Sequence, residues 1–273
     1  MEKHILICVS DDVAASFSMN FVARFFKTPC DVRMTLLFVT PRDADRSALA
    51  KGNGMLEKAR TWFENRQFCD PGKIDLKTLP SHGDPAKMIV QEAHKELYDA
   101  VLIGRRNSSI FEELFDYSVS HRILWEEIGF PIWFCCTPSD GERSGVLLCV
   151  DNDEPSMRMA DHVGFILNDN EGHDITLFHV DTGKAQTDAD YIFTSAREIL
   201  IANGVAEERI KQLSVRSNNV FKAIKNQSSK GGYAVVAVGR GQHRKSAREA
   251  FMPGSVSVKL LRSAEPETLW ISK

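Results

Sequence analysis

The sequence predicts an α/β protein made of two tandem doubly wound domains, each a five-stranded parallel sheet with helices on both faces. Three observations carry this expectation. The chain repeats itself: Ile5-Leu6-Ile7-Cys8-Val9 returns as Val146-Leu147-Leu148-Cys149-Val150, and Met34–Val39 returns as Ile175–Val180 at the same offset. Val101–Arg105 returns as Val236–Arg240, and Trp133 as Trp270, at slightly shorter offsets. A shift that changes only at loops is the mark of tandem duplication. Second, each half alternates short apolar runs with amphipathic stretches, the pattern of strand–helix–strand units in a parallel sheet. Third, 273 residues suit two domains of about 135 residues each.

The elements follow in order. His4–Val9 is a continuous apolar run, as expected of a strand buried on both faces. Ala14–Phe26 carries Phe17, Phe21, Val22 and Phe25 along one helical stripe. Asp31–Val39 is the second strand. Arg42–Gly54 is polar and contains glycine, which predicts a long surface loop, a lid or a disordered stretch, before a helix over Met55–Phe68. Lys73–Leu79 is the third strand. Gly83-Asp84-Pro85 starts a helix to Leu97, with proline suited to its first turn. Ala100–Ile103 is the fourth strand, Ser108–Phe115 a short helix or ordered loop, Ser118–Glu127 a helix and Pro131–Cys136 the fifth strand. Thr137–Ser144 is turn-rich and reads as a linker between domains at 1–139 and 145–273. The second half repeats the order. Its strands fall at Gly145–Val150, Asp174–Val180, Arg209–Val215, Ala234–Val238 and Glu267–Ile271. Its helices fall at Ser156–Leu167, Asp188–Asn203, Val220–Ser228 and Ser255–Arg262.

Composition narrows the function classes. A net charge of −3 and a pI near 6.3 supply no bulk field for nucleic acid or an anionic membrane. No apolar run approaches the roughly 20 residues of a membrane helix. Met1 leads directly into a strand pattern without a signal-peptide layout, so a cytoplasmic address is expected. The six cysteines have no C-x-x-C or Cys/His ligand spacing. They read as reduced structural thiols rather than a metal or redox site, with Cys8 and Cys149 expected to point into the sheet cores.

Ligands of doubly wound sheets bind beyond the C-terminal strand ends, where strand order reverses. The loop after strand four therefore matters. In the first half it reads Gly104-Arg105-Arg106-Asn107, nine residues, then Tyr117-Ser118-Val119-Ser120. In the second it reads Gly239-Arg240-Gly241-Gln242, eleven residues, then Gly254-Ser255-Val256-Ser257. Glycine lets backbone approach a ligand closely, and Gly-Ser at a helix start offers N–H groups and a hydroxyl to phosphate. Both halves, with their strand order and the Gly-Asp-Pro helix start, resemble the universal stress protein family. Its nucleotide-binding members carry G-x2-G-x9-G-S/T at this place. The resemblance implies an adenine nucleotide alpha-hydrolase-like fold, ATP or another adenine nucleotide as ligand, with Mg²⁺, and fifth strands that pair domains.

The same resemblance implies an aspartate after strand one that contacts the nucleoside, and strand-two backbone beside the base. In the second half Asp151 and Val180 take those places, with Gly239, Gly241, Gly254, Ser255 and Ser257 about the phosphates. Gln242 departs from the middle glycine, and the loop is two residues longer. In the first half Ser10 stands where the aspartate would be, and Asn107 and Tyr117 replace two glycines. That half reads as degenerate: a packing partner for the second, or a binder of something else.

Other candidates are weaker. Asp11-Asp12 resembles the acidic pair of receiver domains, but the further aspartate and lysine such sites need are missing; helix capping is the simpler role. His179, embedded in a strand, reads as a satisfied structural group, and His121, His162 and His243 have no partner at motif spacing. His243-Arg244-Lys245 with Arg248 is either a solvated loop or a charge complement to phosphates. No G-x-S-x-G, P-loop or Ser/His/Asp pattern occurs. The preferred expectation is a non-enzymatic stress-response module acting through a regulatory protein partner. The alternatives are a ligand-free scaffold working by protein contacts and a weak nucleotide hydrolase.

Overall fold

The computed structural model describes residues 2–10, 15–26, 31–42, 45–81, 83–105, 119, 123, 128–137, 141–183, 188–240, 255–263 and 268–272. The chain divides into two compact units, Met1–Pro138 and Ser139–Lys273.

The first unit runs β1 (Lys3–Cys8), α1 (Ala15–Phe25), β2 (Val32–Arg42), α2 (Arg46–Glu64), β3 (Ile74–Ser81), α3 (Pro85–Glu96), β4 (Ala100–Gly104) and β5 (Ile132–Cys135). Its strands pair in the order β3-β2-β1-β4-β5, every pair parallel. The second unit runs β6 (Val146–Cys149), α4 (Glu154–Leu167), β7 (Ile175–Asp181), α5 (Ala189–Ala202), β8 (Ile210–Arg216), α6 (Val220–Gly231), β9 (Val235–Gly239), α7 (Val256–Arg262) and β10 (Thr268–Ser272). Its order, β8-β7-β6-β9-β10, is the same topology with parallel pairs throughout. Strand order reverses beside β1 in the first unit and beside β6 in the second. Crossovers between parallel strands are right-handed as a rule, so a reversal of strand order sends the helices on its two sides to opposite faces of a sheet. The predicted fold class is therefore observed in both units.

The central strands are apolar because both their faces are covered. Ile5, Leu6 and Ile7 of β1 and Val146, Leu147 and Leu148 of β6 have no exposed surface. The helices begin where short polar side chains meet unpaired backbone N–H groups. Asp84, Asp153, Asp188 and Asn219 accept from Ala86, Ser156, Asp190 and Lys222 respectively.

One expectation fails. Residues 46–54 are helix, not loop or lid, and they form the opening of α2. The Asp45 carboxylate accepts the Ala48 N–H at 2.8 Å and caps that helix. Gly52, which reads as a breaker, is buried in mid-helix, and a Cβ there would lie 2.3 Å from the Phe38 ring. The glycine lets α2 close onto β2; tertiary packing overrides its low helix propensity. Cys8 and Cys149 also differ from expectation. They are partly exposed at strand ends rather than enclosed in a core. Burial of the sulfur atoms still disfavours the thiolate, pushing Cys8 up to about 12 and raising Cys149 as well. The stretches expected as helix over 108–115 and 118–127 lie outside the described residues, apart from Val119 and Ile123.

The repeat extends to side-chain pairs. Phe21 meets Trp133 edge-on at 5.9 Å, and at the matching positions His162 meets Trp270 at 5.5 Å. Arg33 of β2 pairs with Asp75 of β3 at 2.8 Å. In the second unit the same positions hold Asp174 and Lys211, paired at 2.6 Å with the charges exchanged.

Candidate functional site

β6 emerges from the sheet core with Val150, whose N–H donates to the Phe178 carbonyl of β7 at 2.9 Å. Asp151 follows, exposed, two residues past the strand register. Its N–H donates to Ser156 Oγ at 3.2 Å, and its own Oδ1 accepts the Asn152 N–H at 2.8 Å. Asp153 then caps α4 by accepting the Ser156 N–H at 2.9 Å. The turn from β6 to α4 is thus closed by side-chain oxygens, with the Asp151 carboxylate at the surface.

Two neighbouring strand ends flank this turn. On one side β7 ends at Val180 and Asp181, both half-buried. On the other β9 ends at Gly239, in a strand whose Val238 pairs with Cys149 of β6. A Cβ at Gly239 would lie 2.4 Å from the Pro155 carbonyl carbon and 2.5 Å from the Ser156 nitrogen. The glycine is required because the first turn of α4 rests on the end of β9. Close approach was the expected reason for glycine here, and the partner in that approach is the protein's own backbone.

Beyond β9, the Arg240 N–H donates to the Ser272 carbonyl at 2.7 Å, matching Arg105 and Cys135 in the first unit at 2.8 Å. Burial pulls both guanidinium groups below their ordinary value. Arginine stays charged even so. Ser255 caps α7, its Oγ accepting the Val258 N–H at 3.4 Å and lying 3.4 Å from the Oγ of buried Ser257.

Of the sequence-predicted site residues, Asp151, Val180 and Gly239 come together at the C-terminal ends of three adjacent strands, where strand order reverses. Ser255 and Ser257 open the helix that packs on β10. Gly241 and Gly254, like Gln242 and Tyr117, lie outside the described residues. What is present is an exposed carboxylate between two strand termini, with glycine at one of them whose open side is taken by α4.

Sequence reading missed two contributors. Ser156 holds the Asp151 N–H, and buried His179 binds the Val150 carbonyl through Nδ1 at 3.0 Å. That bond makes His179 the satisfied strand histidine expected, but places it at the site. The available signal was the repeat itself, since the first unit has Ala15 and Phe38 at those positions.

Two five-stranded, fully parallel sheets of one topology, each with a strand-order reversal, define a tandem doubly wound α/β protein. Residues 1–126 match the model of the universal stress protein family. The match spans the first domain. The whole chain also resembles a universal stress protein from Archaeoglobus fulgidus, with a TM-score of 0.74 and 18% identity over 99% of this chain and 96% of the other. A functionally unknown protein from Pseudomonas aeruginosa aligns over 100% of this chain and 92% of its own, with a TM-score of 0.61 and 13% identity. At such identities the likeness is one of fold. No curated protein matches the chain. Among the described residues, no helix is long and apolar enough to cross a membrane.

Proposed function

We propose that the chain is a non-enzymatic, cytoplasmic stress-response module whose second domain binds an adenine nucleotide. Asp151 holds the nucleoside and Val180 lies beside the base. Gly239, Gly241, Gly254, Ser255 and Ser257 surround the phosphates, with Mg²⁺ as a counter-ion when ATP is the ligand. The observation that carries the reading is Asp151: an exposed carboxylate two residues beyond β6, between the ends of β7 and β9, at the strand-order reversal. Equilibrium dialysis with ATP and AMP, with and without Mg²⁺, tests it. Asp151→Ala is expected to lose about tenfold in affinity, the scale of one charge-assisted hydrogen bond. Equal retention by both proteins removes the role of Asp151.

The proposal includes pairing of domains through the fifth strands, β5 and β10. Each is the last strand of its own unit's order, and an edge strand offers a row of backbone groups for pairing. A regulatory protein would be the further partner. A second reading, a ligand-free scaffold acting by protein contacts, draws on the Gln242 and Tyr117 replacements and on Gly239, whose close neighbour is α4. Nucleotide carried through purification, detected by mass spectrometry, counts against it.

A further inference from the structure

The two units give the turn after their first strand nearly identical backbone support and quite different side-chain support. Val9 donates its N–H to the Leu37 carbonyl at 2.8 Å, as Val150 does to Phe178 at 2.9 Å. Among the positions where the copies then diverge, three bear on this turn, each at the offset that relates the two first strands. Ser10 becomes Asp151, Ala15 becomes Ser156 and Phe38 becomes His179. The last two changes introduce polar atoms, and both act on the residues at the first. Ser156 Oγ accepts the N–H of Asp151, and His179 Nδ1 bonds the carbonyl of Val150, the other side of the same peptide unit. A carbonyl only accepts, so Nδ1 carries the proton and donates.

Both fasteners are buried. Ser156 is 5% exposed and stands in the first turn of α4, against Gly239. His179 is 4% exposed, and the Phe193 ring meets it edge-on at 6.3 Å. In the first unit, Phe38 has no donor, and its ring lies against Gly52 of α2. The alanine at 15 has no acceptor. The unit with the aspartate therefore also has a two-sided clamp on the peptide that precedes it, and the unit without the aspartate has alanine and phenylalanine where the two clamping side chains stand.

We infer that His179 and Ser156 are positioning residues that preorganise the Asp151 turn for a ligand carrying hydroxyl donors, such as a ribose. The Val150–Asp151 peptide is held by its C=O from β7 and by its N–H from α4. Its orientation is thereby set before any ligand arrives, which lowers the ordering cost of binding. The inference rests on the nucleotide reading for its ligand, but the clamp itself is measurable without one.

The test is amide hydrogen exchange at residue resolution on the full chain, with Ser156→Ala, His179→Phe and His179→Asn. The first two install the residues of the first unit. Asparagine keeps a donor at the δ position of the side chain. Ser156→Ala is expected to speed exchange of the Asp151 amide about tenfold. His179→Phe is expected to do the same at Asp151 and Asn152 while β6 amides keep their rates, and His179→Asn is expected to restore slow exchange. Unchanged turn exchange in Ser156→Ala, or equal acceleration by His179→Phe and His179→Asn, overturns the inference. If His179→Phe also exposes β6, Ser156→Ala and His179→Asn decide alone. ATP titration of the same proteins separates the two claims. Wild-type protein that binds no nucleotide removes the ligand reading and leaves the exchange result to judge the clamp. Binding weakened by His179→Phe and rescued by His179→Asn supports both.

Discussion

Replacing His162 by phenylalanine, the residue at the matching place in the first unit, isolates one source of acid sensitivity. The imidazole is 7% exposed and meets the Trp270 ring at 5.5 Å. Burial disfavours its charged form and pushes it down to about 3. In the unfolded chain the same side chain titrates near pH 6.5, at about its unperturbed value. The folded pKa is thus depressed. Between the two values the unfolded state binds a proton that the folded state does not. Stability from this group is intact above about pH 6.5 and is lost as pH falls below it. The slope approaches about 1.4 kcal/mol per pH unit, so roughly 2 kcal/mol disappears by pH 5. Phenylalanine cannot titrate, and the Phe21–Trp133 pair at 5.9 Å shows that this packing accepts the ring. Urea denaturation of both proteins from pH 7.5 to 5 gives the answer. The stability of wild type relative to His162→Phe is expected to fall by about 2 kcal/mol across that range. The absolute difference at pH 7.5 carries no weight, since the substitution also alters other contacts. A difference that stays constant with pH refutes the assignment of an acid-sensitive buried imidazole.

Gly239→Ala forces a Cβ to within 2.4 Å of the α4 backbone, so thermal denaturation is expected to show a loss of about 1–3 kcal/mol. Buried Arg209 donates to the Leu167, Asn170 and His173 carbonyls at 3.0, 2.8 and 2.7 Å. Arg209→Met leaves those acceptors to find other partners, and urea denaturation is expected to register a loss of about 3 kcal/mol. The exchanged charge pairs predict compensation. Arg33→Asp is expected to cost up to about 1 kcal/mol, and Arg33→Asp with Asp75→Lys, the arrangement of Asp174 and Lys211, to recover most of it. Lack of recovery in that double variant shows that the sites differ in more than sign.

Much of the architecture was legible because it is written locally and twice. Strand runs such as Ile5–Val9 and Val146–Val150, the proline and aspartate at the start of α3, and the Trp133/Trp270 correspondence each follow from spacing and residue type. The opening of α2 was not legible. Its polar residues and glycines resemble a loop until Phe38, on another element, is seen to occupy the face that Gly52 leaves open. The site divides along the same line. Asp151 and Gly239 could be nominated from sequence because each follows a recognisable strand. The reason Gly239 must be glycine could not, because the atoms it makes room for belong to Pro155 and Ser156, far earlier in the chain.

The sequence by itself determined the duplication, the alternation of strand and helix, and which half keeps an aspartate at the end of its first strand. These are one-dimensional properties, carried by period and by residue identity at fixed offsets. Only the tertiary structure decided that Ser156 and His179 grip the two sides of the peptide before that aspartate, that Arg209 ties three carbonyls together, and that His162 is sealed against Trp270. Such contacts join side chains to groups far away in the chain. Their existence depends on how elements pack, which no local pattern encodes.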